Sequence, residues 1–140
     1  MKCNRILIAV AGSAHSYKVL EQGLSTAADL SADAQIIYVI QPPSLLSGQS
    51  SWTPPRRIVE EVGKEVFNKA RSIAEEKGVS IKTTIAEGNA AEEIMAFAQK
   101  REMDLIVVGA VGESGSSIVR VGGVARKIVR NAGKPVLVVH

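Results

Sequence analysis

The sequence predicts an α/β fold: a parallel sheet with helices on both faces, the three-layer α/β/α arrangement. Three observations predict it. Short, continuous apolar runs recur along the chain. Stretches with apolar residues at three- and four-residue spacing separate those runs. The two patterns alternate as β-α-β-α-β-α-β-α-β, with no internal repeat or low-complexity tract. At 140 residues the chain fits one domain, expected to span 1–140. Each crossover is expected to be right-handed.

The elements follow in order. Arg5 to Ala11 is apolar without alternation, as a strand buried on both faces requires, and Gly12-Ser13 ends it. A helix is predicted from His15 to Leu30, burying Val19, Leu20, Gly23, Leu24, Ala27 and Ala28, with Ser13 as its N-cap. Gln35 to Ile40 is the second strand, stopped by Pro42 and Pro43. Residues 41–55 are rich in Pro, Ser and Gly and hold the only tryptophan, Trp52, so they read as a surface loop or a lid. Arg56 to Lys77 carries Ile58, Val62, Val66, Ala70, Ile73 and Ala74 on one helical face, and Gly78 stops it. Val79 to Ala86 alternates, which places a half-exposed strand at or near a sheet edge. Asn89, with Glu92 three residues on, resembles a capping box. The helix it opens runs to about Arg101 and buries Ala91, Ile94, Met95, Phe97 and Ala98. Asp104 to Gly109 is another buried strand. A glycine-rich stretch follows, then a helix using Val124, Ala125, Ile128 and Val129, and Pro135 to His140 forms the last strand.

Composition bounds the function. Hydrophobic residues make up 46% and charged residues 22%, a globular balance, while aromatics at 4% leave the core to aliphatic side chains. Net charge is +3. The densest cations are Arg120, Arg126, Lys127, Arg130 and Lys134; without interleaved aromatics they read as a solvated helix face rather than a nucleic-acid patch. Cys3 is the only cysteine, so no internal disulfide forms and a reducing compartment fits. No signal peptide and no apolar stretch of membrane-spanning length is visible, so the expected location is cytoplasmic.

In an open parallel sheet, ligands bind beyond the C-terminal strand ends, where the strand order reverses. Two turns stand out there: Ala9 to Ser13, and Gly109 to Gly123. The second has glycines at 109, 112, 115, 122 and 123, with Ser114, Ser116 and Ser117 as hydroxyl donors. Glycine lets backbone approach a ligand closely. Gly122 and Gly123 precede a helix, whose N–H groups and dipole favour an anion, so the turn reads as a phosphate cradle. Neither a P-loop nor a Gly-x-Gly-x-x-Gly fingerprint is present.

The spacing Gly109-x2-Gly112-x9-Gly122 is similar to the signature of nucleotide-binding universal stress proteins. The opening Ile6 to Ser13, the helix start Gly88 to Ile94, the strand Asp104 to Gly109 and the closing Lys134 to Val139 also resemble that family, in order along the chain. The resemblance implies a five-stranded parallel sheet in the order 3-2-1-4-5, the adenine nucleotide alpha hydrolase-like arrangement, with ATP or AMP as ligand and Mg accompanying ATP. It implies that Ala9, Val10, Ala11 and Val39 line the adenine and ribose side. Val108, Gly109 and Gly112 then follow ribose and phosphates, and Gly122, Gly123 and Val124 hold the phosphates. It also implies a homodimer through the C-terminal strand, residues 135–140.

Two departures stand out. The family's binders usually carry Asp at the position of Ala11 and Ser or Thr at that of Gly123. A dimeric interaction protein that has lost its nucleotide is therefore the alternative. Candidate catalytic groups are few: His15 at the first helix start, His140 at the chain end, expected to face solvent, and Glu113 in the glycine-rich turn. His15 reads as a solvated turn histidine and Glu113 as a lone exposed carboxylate. Slow ATP hydrolysis is the most that these residues support.

Overall fold

The computed structural model describes residues 2–11, 15–42, 55–110 and 122–140. Ser13, the loop around Trp52, and Gly112 to Ser117 lie outside the described residues. The strands are β1 (Arg5–Val10), β2 (Asp33–Ile40), β3 (Ile81–Glu87), β4 (Leu105–Gly109) and β5 (Val136–Val139). The helices between them are α1 (His15–Asp29), α2 (Arg56–Lys77), α3 (Ala90–Lys100) and α4 (Gly123–Asn131). Among the described residues the five strands form one parallel sheet in the order β3-β2-β1-β4-β5.

Period-two alternation divides the core into two layers. Ile6, Ile8, Val10, Ile36 and Tyr38 pack on the side of α1 and α2. Leu7, Ile37, Ile106 and Val108 pack on the side of α3 and α4. Because both faces are covered, the central strands need apolar residues at every position, which is why β1 and β4 read as unbroken runs. β3 is an edge strand, and Ile85 on it is half-exposed, which accounts for its alternating sequence.

Local chemistry sets the ends of the elements. Gly78 caps α2 in the left-handed conformation (φ 70°), as its position predicts. Asn89 Oδ1 accepts a hydrogen bond from Glu92 N at 3.1 Å, forming half of the expected capping box. The other half is absent, since the Glu92 carboxylate instead lies 3.5 Å from Lys127 Nζ on α4. Asp104 is not part of β4; its Oδ2 accepts from Asn4 N (2.9 Å) and Arg5 N (3.0 Å) and ties the entry of β4 to that of β1.

Three expected core faces are corrected. Ile58 is exposed, and Val59 and Phe67 pack against the core in its place. Met95 and Phe97 are only half-buried. In α4 the residues Ala125 and Ile128 face the sheet, which turns Val124 and Val129 outward. The cationic cluster is spent partly within the protein: Lys127 pairs with Glu92, and Lys134 Nζ donates to Met103 O at 2.8 Å. Among the described residues no helix is long and apolar enough to cross a membrane.

Candidate functional site

The chain leaves β1 toward β2 and β3, then crosses back to β4 on the other side of β1. Connections on either side of this reversal run in opposite directions, and a cleft opens at the C-terminal strand ends. A cavity of about 250 Å³ lies there. Ala9, Val10, Ala11, Val39, Val108, Gly109, Gly122, Gly123 and Val124 all line it. Gly112 and Glu113 lie outside the described residues.

The wall also contains residues that the sequence reading passed over. Ala90, Ile94 and Ala125 are core residues of α3 and α4 whose outer ends reach the cavity, and nothing in their spacing distinguishes that role. Ser16 and Gln41 carried a weak signal, as polar residues just beyond strand ends at the predicted binding edge.

The apolar floor follows from strand register. Ala9, Val39 and Val108 all face the α3–α4 layer, where small and branched side chains leave room above the sheet. Gly109 is needed for close approach. A Cβ there would lie 2.9 Å from His15 Cδ2 and 3.1 Å from Val19 Cγ2. Gly123 is the opposite case, since a Cβ on it would have nothing within 4 Å.

A hydrogen-bond chain crosses the site. Gly122 N donates to Ala110 O at 2.6 Å, and Ala110 N donates to Val139 O at 2.8 Å. His15 Nε2 lies 3.1 Å from the same Val139 oxygen. Two expectations change accordingly. His15 is not a solvated turn histidine, because its half-buried ring is held between α1 and the end of β5. The Gly122 N–H is already engaged, so it does not serve as an anion donor. The first three N–H groups of α4, on Gly123, Val124 and Ala125, have no carbonyl partner within the helix, and among the described residues no side chain caps them.

The exit of β1 is closed by Ser16, which is buried at the start of α1. Its Oγ accepts from Ala11 N at 3.1 Å and donates to Ala11 O. Among the described residues no Asp, Glu, Lys or Arg lines the cavity. Attraction for an anion therefore rests on backbone amides and the α4 dipole. Among the described residues no three His, Cys, Asp or Glu side chains form a metal site.

Fold and site together define a doubly wound α/β protein whose apolar cleft ends on uncapped helix amides. The sequence matches the Universal stress protein family over residues 2–140. It is 36% identical over 137 residues to universal stress protein MJ0531 of Methanocaldococcus jannaschii, covering 96% of this chain and 81% of that protein. Two solved structures share the fold. A universal stress protein in complex with cAMP superposes with a TM-score of 0.74 at 20% identity, covering 100% of this chain and 98% of that one. The universal stress protein from Archaeoglobus fulgidus in complex with dAMP superposes with a TM-score of 0.70 at 22% identity, covering 100% of both chains. The chain belongs to the universal stress protein family, and solved structures of universal stress proteins share its fold.

Proposed function

We propose that this protein is a regulatory module of the stress response that binds an adenine nucleotide, ATP or AMP, in the cleft beyond β1 and β4. The observation that carries this reading is the convergence of Ala9, Val10, Ala11, Val39, Val108, Gly109, Gly123 and Val124 on one cavity that ends at the first amides of α4, which no described side chain caps. The base and ribose lie over Ala9, Val39 and the exit of β1. The phosphates lie toward Gly109 and the start of α4. Relatives of the same fold in complex with cAMP and dAMP support an adenylate ligand. Magnesium would accompany ATP and neutralise phosphate charge, which no described side chain of the wall does. A reducing cytoplasm suits the single cysteine.

Affinity is expected to be modest. The carboxylate that related binders place at position 11 and the hydroxyl at position 123 are missing. Each lost hydrogen bond to a charged group is worth roughly 1.5–3 kcal/mol, about ten- to a hundredfold in Kd. The same two residues support a second reading, a dimeric interaction protein without nucleotide. Isothermal titration with ATP–Mg and AMP separates the two. Heat that saturates by millimolar nucleotide supports the first, and its absence supports the second. Gly123→Ser is expected to strengthen binding about tenfold or more, since the space at residue 123 is open.

A further inference from the structure

We infer that the fold carries a second ligand site at the opposite end of the sheet, beyond the N-terminal ends of β1, β2 and β3. It takes a small organic acid with two oxyanion groups and a hydroxyl between them. The inference stands apart from the nucleotide reading above, since the two cavities share no residue.

A cavity of about 330 Å³ lies there. Buried Ala34 and Met103 form part of its wall, and Arg5, Lys82 and Arg101 bring three cations to it. Period-two alternation puts the first two on one face of the sheet. Arg5 shares a face of β1 with Leu7, and Lys82 shares a face of β3 with Ala86. Leu7 and Ala86 both pack in the α3–α4 layer. Arg101 caps the C-terminus of α3 on that same side. From β1 to β3 is two strand steps, about 10 Å across the sheet, so side chains this long converge on a ligand a few atoms in length.

The cations are positioned without being neutralised. Arg5 Nη1 donates to Arg101 O at 3.2 Å. The Arg101 guanidinium lies over the Phe97 ring, 5.7 Å from its centroid, so this half-buried ring supports it. Lys82 stands opposite Gln35 in the register, and Gln35 Nε2 is committed to Thr84 Oγ1 at 2.9 Å. Arg56, Lys77 and Lys127 all have carboxylate partners elsewhere on the molecule. Among the described residues none of the three cations at this cavity has one. Asp33 is the only carboxylate of the described wall, and no described cation pairs with it. Three cations against one carboxylate leave two positive charges unanswered.

The wall specifies the ligand's chemistry. A guanidinium takes a carboxylate or a phosphate through a fork of two hydrogen bonds, and an ammonium takes either as a point charge. One oxyanion group therefore belongs between Arg5 and Arg101, and a second belongs at Lys82. Asp33 accepts hydrogen bonds and donates none, so it repels a bare dianion and needs a donor from the ligand. A hydroxyl between the two oxyanion groups supplies that donor. A monoanion answers one end of the site only. The cations are exposed, so the attraction is screened by salt and affinity falls as ionic strength rises.

The test titrates the full chain with malate and with 3-phosphoglycerate at matched ionic strength. Succinate, which lacks the hydroxyl, and acetate, which lacks the second oxyanion, serve as controls. The readouts are the backbone amides of Lys82 and Met103 and the side-chain Nε–H resonances of Arg5 and Arg101 in labelled protein. Malate or 3-phosphoglycerate is expected to shift these resonances saturably, and the tighter of the two identifies the second oxyanion as carboxylate or phosphate. Succinate should bind about tenfold more weakly than malate, and acetate should not saturate. Lys82→Gln and Arg101→Gln should each weaken binding about tenfold or more, and Asp33→Ala should bring malate and succinate together. Lys82, Arg101 and Asp33 are exposed, so these variants leave the core untouched. Shifts that grow linearly with every anion, shifts at Gly123 and Val124 instead, succinate bound as tightly as malate, or affinity unchanged in Lys82→Gln and Arg101→Gln overturns the inference. Nucleotide binding is read at the other end of the sheet and stands or falls separately.

Discussion

Cys3 is buried beneath the entry of β1, where burial first, and the charge of Asp104 second, push its thiol above the ordinary range. The folded protein therefore holds the thiol proton at a pH where the unfolded chain releases it. The unfolded state binds fewer protons there, so stability falls as pH rises through and beyond the ordinary thiol range. Below that range the contribution is fully present. Urea titrations of wild type and Cys3→Ala between pH 8 and 10 check the sign, and the wild type should lose stability more steeply. Its thiol should also resist alkylation until the chain unfolds. At the same scale Gly109 and Gly123 do opposite things. One lets His15 and Val19 approach the end of β4, and the other leaves space open beside the α4 amides. Both are glycines in a glycine-rich turn, and spacing alone does not tell them apart.

At the scale of elements, helix-to-sheet distance depends on a few small residues. A Cβ on Gly23 would lie 2.7 Å from Ile8 Cδ1 and 2.9 Å from its Cγ1, and Ile8 is fully buried in the central strand. Alanine gains about 1 kcal/mol in helix propensity but overpacks the core by about 1–3 kcal/mol. Gly23→Ala is therefore expected to lower stability by up to about 2 kcal/mol, read from the urea midpoint. Most element types were legible because burial imposes a period. The runs in β1 and β4 need apolar residues on both faces, and α1 needs them on one. Boundaries were less so. β2 begins two residues before the predicted Gln35, and β4 begins one after Asp104. Polar residues at strand mouths, such as Asp33 and Asp104, are compatible with either state until their partners are known. The short helix α4 was misread at Val124 and Val129 because four valine, alanine and isoleucine positions over so few residues do not define which side faces inward.

At the scale of the whole molecule, strand order explains the cleft and leaves the edge at which the family resemblance would place a second copy. The reversal beside β1 opens the cleft, and β5 is left at the sheet edge. Pro135 O accepts from Ile106 N of β4 and Val139 O from Ala110 N just beyond it, so by alternation Val136 and Val138 direct their backbone groups away from the sheet. A second copy pairing along β5 would use those groups. Val138→Pro removes an outward N–H and spares the ladder to β4, so it is expected to convert a dimer into a folded monomer by sedimentation. Dimerisation unchanged by this variant would exclude the edge as the contact. The nine cavity residues came from family resemblance, while charge, composition and periodicity pointed no further than a glycine-rich turn at the right edge. Ser16 and His15 were obscured because their roles depend on what the fold brings beside them.

The central claim is a place as well as a ligand: an adenylate whose phosphate rests on the first amides of α4. Backbone amide shifts of the labelled protein on addition of AMP test it most directly. The account predicts saturable shifts at Gly123, Val124 and Ala125 together with Val39 and Ala11. Amides that stay unmoved at millimolar AMP, or shifts confined to another face of the sheet, would contradict it.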